Sequence, residues 1–144
     1  MARGFAGAAA DQAACPCGSG ATLDSCCGPF HQGLLKAQSA EQLMRSRYSA
    51  YALGEIDYLI ATHPEPETPI RQRRRELRAS NRQIRWIQLE ILAVDCGGPE
   101  DYQGTVQFAA HCIAAGHRRC LKETSLFERR DGQLSGDWLY IRAL

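Results

Sequence analysis

Four cysteines fall within thirteen residues, Cys15-Pro16-Cys17 and Cys26-Cys27, in the pattern C-x-C-x8-C-C. Thiolates are soft ligands, and four of them at tetrahedral corners suit zinc with Zn–S distances of about 2.3 Å. Gly18, Ser19 and Gly20 allow a tight turn and amide donors toward the sulfurs. A complete set of four leaves no open position for substrate water, which makes the site structural rather than catalytic. Three alternatives stand beside this reading: a vicinal Cys26–Cys27 disulfide, His31 in place of Cys27, and a redox pair. C-x-C lacks the helix-borne C-x-x-C arrangement that lowers a thiol pKa. Iron fits the same four-sulfur tetrahedron.

The remaining cysteines, Cys96, Cys112 and Cys120, bring the total to seven, an odd number that excludes a complete disulfide framework. A metal cluster with a few scattered thiols suits a reducing compartment and a cytoplasmic protein. No apolar run approaches the length of a membrane span, and Met1–Ala14 lacks the apolar middle of a signal peptide. The chain is therefore expected not to insert into a membrane. At 144 residues, 44% of them hydrophobic, it has material for a core that does not depend on metal. A net charge of +1 gives no global pull toward nucleic acid.

The elements that must carry the knuckle follow it. Residues 1–13 read as a flexible tail, 14–31 as the knuckle and 36–144 as an α+β domain. Ser39 with Gln42 three positions on is a capping signal, and Leu43, Met44, Arg47, Tyr48 and Tyr51 share a helix face. Gly54 ends that helix, a short one follows through Ile60, and the prolines of His63–Pro69 stop it. From Ile84 the period becomes two. Ile87, Leu89, Ile91 and Ala93 form one strand face against Trp86, Gln88, Glu90 and Leu92; Val106, Phe108, Ala110 and Cys112 form the next. Turns at 97–101, 115–117 and 130–132 then make an antiparallel meander.

Cys-Pro-Cys-Gly-Ser-Gly followed by Cys-Cys-Gly resembles the SEC-C motif, named for the metal-binding tail of the preprotein translocase ATPase. Leu43–Tyr51, Asp57–Ile60, His63-Pro64, Arg85-Trp86, Glu123–Phe127 and Trp138–Tyr140 extend the resemblance to the bacterial YchJ-like family. The resemblance implies a SEC-C knuckle on a cystatin-like, nuclear-transport-factor-2-like cone: helices packed on a curved antiparallel sheet. It implies a protein partner, the translocation or ribosome machinery by analogy. Many SEC-C motifs carry lysines after Gly-Ser-Gly; Ala21–Ser25 here has none.

Arg71, Arg73, Arg74, Arg75, Arg78, Arg82 and Arg85 stand against a lone Glu76. This run reads as a solvated helix face, with a phosphate-binding strip for RNA as the alternative. A cone interior raises a second question, because Arg47 and Glu123 both have inward parity. The simpler expectation is a buried ion pair between them. The alternative is a ligand pocket completed by Tyr48, His63 and Trp138. No G-x-S-x-G, H-E-x-x-H or phosphate-cradling loop is present, so the chain reads as a non-enzymatic metal-binding module. A small-ligand carrier or enzyme using the cone interior is the alternative.

Overall fold

Ser39 caps the longest helix: its side chain accepts from the amide of Gln42 at 3.1 Å, and Gln42 Oε1 accepts from the amide of Gln38 at 2.7 Å. The first bond satisfies an amide that the first turn would otherwise leave open, and the second fixes the chain entering it. In a computed structural model, which describes residues 13–144, a single 3-10 turn (Leu23–Ser25) and α1 (Gly28–His31) precede this helix, α2 (Ala40–Leu53). Gly54 closes α2 in the left-handed conformation at φ 78°, where a residue without Cβ is least strained. Next come α3 (Ile56–Ala61), α4 (Ile70–Asn81), β1 (Ile84–Cys96), β2 (Gln103–Ala114), β3 (His117–Arg129) and β4 (Trp138–Ala143). The expected tail at 1–13 lies outside the described residues except for Ala13.

The strands form one antiparallel sheet in the order β1-β2-β3-β4. Each joins its sequence neighbour, as short connections favour. α2 lies across the sheet's concave face. Leu43, Met44 and Tyr48 meet Leu89, Val106, Phe108, Ala110, Phe127 and Trp138 there. Burial of each large side chain contributes about 1.5–3 kcal/mol. The alternation of Val106, Phe108, Ala110 and Cys112 holds, and all four are buried.

The simple alternation expected for β1 does not hold. Its register with β2 slips between Trp86 and Gln88 and again between Ile91 and Ala93. Ile87 and Leu92 are the extra residues of these bulges and are exposed. A bulge reverses the parity of what precedes it. Trp86 therefore joins the inner face, with ring centroids 5.9 Å from Tyr48 and 5.6 Å from Tyr51.

Two close backbone approaches fix the far end of the sheet. The Gly97 carbonyl accepts from the amide of Ala40 at 2.9 Å, tying the start of α2 to the β1–β2 loop. Gly104 lies directly against the backbone of Cys96 and Gly97, where a Cβ would collide with main chain.

Candidate metal centre and the cone interior

The knuckle is a tight turn facing a helix start. Cys15 N donates to Ala21 O at 2.9 Å and Gly18 N to Cys15 O at 3.2 Å. Gly18 and Gly20 take φ values of 80° and 89°, which a side chain would strain. On the other side, Cys26 N donates to Leu23 O at 3.1 Å. Gly28 passes so near Leu23 O that a Cβ would stand 2.9 Å away. Pro29 then starts α1 at a position that needs no amide donor.

These turns bring the Sγ atoms of Cys15, Cys17, Cys26 and Cys27 within 4.8 Å of one another. Cys17 and Cys26 are 3.6 Å apart at sulfur, Cys26 and Cys27 3.9 Å. A tetrahedron with Zn–S near 2.3 Å has edges of about 3.8 Å, so the donor set fits a metal ion. A disulfide needs sulfurs at about 2.05 Å, and all four cysteines are free. Cys15, Cys17 and Cys27 are buried and Cys26 is half-buried.

The thiols also share charge. The Cys17 thiol is held down at about 4, chiefly by its hydrogen bond with Cys27 and further by Ser19, against the opposing effect of burial. Cys17 in turn pushes the Cys27 thiol strongly upward, and burial adds to this. Burial raises Cys26 as well. One cysteine is thus a ready anion while others keep protons that a bound cation would displace. Ser19 Oγ lies 3.1 Å from Cys26 Sγ, a contact that steadies sulfur charge.

His31 is turned away from the sulfurs. Its Nε2 lies 2.8 Å from the Ser46 carbonyl, and its ring stands edge-on to Tyr58 at 5.0 Å. The knuckle is also built onto α2. Arg45 Nη1 donates to Cys17 O at 2.9 Å while its Nε pairs with Glu41. Ser49 Oγ sits 3.4 Å from Cys15 Sγ. Sequence reading passed over Arg45, Ser46 and Ser49. Their signals were polar character on a helix flank that the apolar pattern had not claimed and a place in the Leu43–Tyr51 segment that carries the family resemblance.

On the opposite side of α2 a cavity of about 200 Å³ opens between helix and sheet. Arg47, Tyr48 and Glu123 line it, together with Tyr51, Trp86 and Tyr140. His63 and Trp138 stand outside it. His63 Nδ1 contacts the Tyr140 carbonyl at 2.9 Å, and Trp138 is buried with Arg129 over its ring at 4.3 Å.

The expected Arg47–Glu123 ion pair does not form. Arg47 Nη1 donates to Leu59 O at 2.9 Å and to Thr62 Oγ1 at 2.7 Å, and its guanidinium lies 4.9 Å from the centre of the Tyr140 ring. Glu123 Oε2 accepts from Ser125 Oγ at 2.6 Å and from the Tyr140 hydroxyl at 3.2 Å. The Leu59 carbonyl and the Thr62 hydroxyl occupy one amino group of Arg47, and the Tyr140 ring faces its charge where a carboxylate was expected. Burial lowers the Arg47 pKa and pushes Tyr48 and Tyr140 up to about 12, so both phenols remain donors.

The family model for the YchJ middle NTF2-like domain matches residues 39–143. A UPF0225 protein of Chromobacterium violaceum is 42% identical over 135 residues, covering 92% of this chain and 93% of its own. One from Vibrio parahaemolyticus is 38% identical over 128 residues, 88% of this chain and 72% of its own. The solution structure of a SEC-C motif containing protein from Rhodopseudomonas palustris superposes with TM-score 0.74 at 34% identity. It covers 90% of this chain and 96% of that one. A SEC-C motif protein from Psychrobacter arcticus, at 22% identity and TM-score 0.74, shares the fold over 93% of this chain and 83% of its own. With a cysteine cluster at its N-terminal end and an NTF2-like cone behind it, the chain belongs to the YchJ-like family.

Proposed function

We propose that Cys15, Cys17, Cys26 and Cys27 hold one zinc ion in a closed, structural site, and that the knuckle so fixed serves as a rigid protein-binding module on a non-enzymatic, cytoplasmic cone. The four-sulfur set with edges of 3.6 and 3.9 Å carries this reading. Zinc supplies cross-linking there and no chemistry of turnover, because four sulfurs fill its coordination shell. Iron is the competing occupant of such a set.

Metal analysis of protein purified without added metal tests the site: about one equivalent of zinc per chain is the expected result. No bound metal, with all four thiols titrating freely, would overturn it. Pull-down with wild type against a Cys15→Ser/Cys17→Ser variant tests recruitment, and identical partner sets would remove that role.

A second reading is favoured by one observation. Arg47 is 5% exposed, yet its Nε and Nη2 have no partner among the described residues, and it shares a cavity with Glu123. A buried cation without a counter-charge is costly, which suits a small polar ligand inside the cone. Failure of small carboxylates and amino acids, each at millimolar concentration, to raise the melting temperature would remove this reading.

A further inference from the structure

Within the arginine run, the structure separates two populations. Arg73 is buried, paired with Glu65 at 2.9 Å and donating to the His63 carbonyl at 2.6 Å. Arg74 pairs with Asp57 at 3.0 Å. These two hold α4 to the body. Arg71, Arg75, Arg78 and Arg82 are all exposed and follow one another at intervals of four, three and four residues. At 3.6 residues per turn these intervals place them in one stripe about 16 Å long, on the side away from Arg73 and Leu77. The lone acid of the helix, Glu76, lies off the stripe and accepts from Gln72 at 2.9 Å.

Two further arginines, distant in sequence, stand on the sheet near the end of α4. In the register, Arg85 stands opposite Ile113, and Ile113 opposite Arg118. Residues directly opposite one another share a face, so Arg85 and Arg118 flank Ile113 on the same side, two strand spacings or about 10 Å apart. Both are exposed. A shallow pocket lined by Ser80, Gln83, Ile84, Ala114 and Ala115 seats the end of α4 against the β2–β3 turn. None of the six arginines is ion-paired among the described residues.

The opposite end of β1 carries several acids, with Arg129 among them. β1 runs from Arg85 to Asp95, and the loop beyond it carries Glu100 and Asp101, with Glu128 opposite Gln103. The stretch from Arg85 to Asp95 spans about 33 Å. A net charge of +1 leaves room for a local excess of one sign, and unpaired arginines grouped on one surface orient an approaching polyanion.

We propose that the basic end, formed by α4, the start of β1 and the β2–β3 turn, docks on the phosphate backbone of a double-helical nucleic acid. Guanidinium groups at regular spacing on rigid elements suit successive phosphates. No exposed aromatic side chain interrupts the arginines, so contact is with the backbone and not with unstacked bases.

The test is fluorescence anisotropy of full-length protein with labelled 20-base-pair RNA and DNA duplexes, titrated from 50 to 200 mM salt, with vesicles of anionic phospholipid in parallel. Each phosphate contact contributes about 0.9 to the slope of log affinity against log salt. Arg75→Gln/Arg78→Gln/Arg82→Gln is expected to weaken binding at least tenfold and to reduce the slope by about 2–3. Gln keeps good helix propensity. Arg85→Gln/Arg118→Gln, on the sheet, is expected to reduce the slope by about 2, while Arg74→Gln leaves it unchanged. Tighter binding of either duplex supports the proposal and shows which sugar the backbone carries. Absence of duplex binding at 50 mM salt, an unchanged slope in both multiple variants, or equal binding to vesicles would overturn it.

Discussion

His31 places its Nε2 2.8 Å from the main-chain carbonyl of Ser46, which makes it one of the pins between knuckle and cone. The residue that sequence offered as a substitute ligand is engaged with the body of the protein. His31→Ala should therefore leave the metal stoichiometry unchanged. It should lower stability by about 1–2 kcal/mol, from the lost hydrogen bond and the edge contact with Tyr58. Metal analysis and urea denaturation on the same preparation check both halves. Loss of metal in this variant would return His31 to the ligand set.

Removal of metal should be read most directly by thiol reactivity. Cys96 and Cys120 are exposed, whereas Cys112 is buried in the sheet. Native protein should show two accessible thiols, and a strong chelator should add the four of the cluster. The far-UV signal of the sheet should persist, because its core is made by side chains outside the knuckle. Collapse of the sheet signal on chelation would show the cone to depend on the metal.

Gly104→Ala should be among the most damaging single changes in the sheet. The new Cβ would meet the backbone of Cys96 and Gly97, and main chain cannot step aside as a flexible side chain can. A loss of about 3 kcal/mol or more is expected, within the range of severe overpacking. Gly116→Ala offers a contrast: no atom lies near its Cβ position, and only its φ of 77° opposes the change. Paired denaturation curves would rank the two.

Stability should fall on mild acidification because of His63. Burial lowers its pKa in the folded state below the ordinary 6.5, so the unfolded chain binds the proton more readily. The stabilisation is complete above pH 6.5 and is lost as pH drops through the folded value. Denaturation midpoints of wild type and His63→Gln between pH 7.5 and 5 should converge toward the acid end. Parallel curves across that range would assign the acid sensitivity elsewhere.

The helix ends, the two-residue period of β2 and the cysteine spacing were legible in the sequence, because each is set by residues close along the chain. Ser39 with Gln42 and the left-handed Gly54 are local devices, and both serve as read. The bulges of β1 were not legible, since an extra residue is visible only against a partner strand. The inward parity of Arg47 and Glu123 could be read, but not their lack of pairing. That outcome depends on the Leu59 carbonyl and Thr62, which the turn after α3 brings to Arg47 from outside its own helix. Nor could a linear count divide the arginine run into anchors and free cations.

α2 is covered on two sides: Arg45, Ser46 and Ser49 meet the knuckle, while Met44, Arg47 and Tyr48 face the cone. Between Leu43 and Ala50 only Arg45 escapes full burial. A surface helix tolerates change on the turns that face water, in a rhythm of three or four residues. Here that rhythm should vanish, and a saturation library should show one unbroken block of intolerance from Leu43 to Ala50, polar and apolar positions alike.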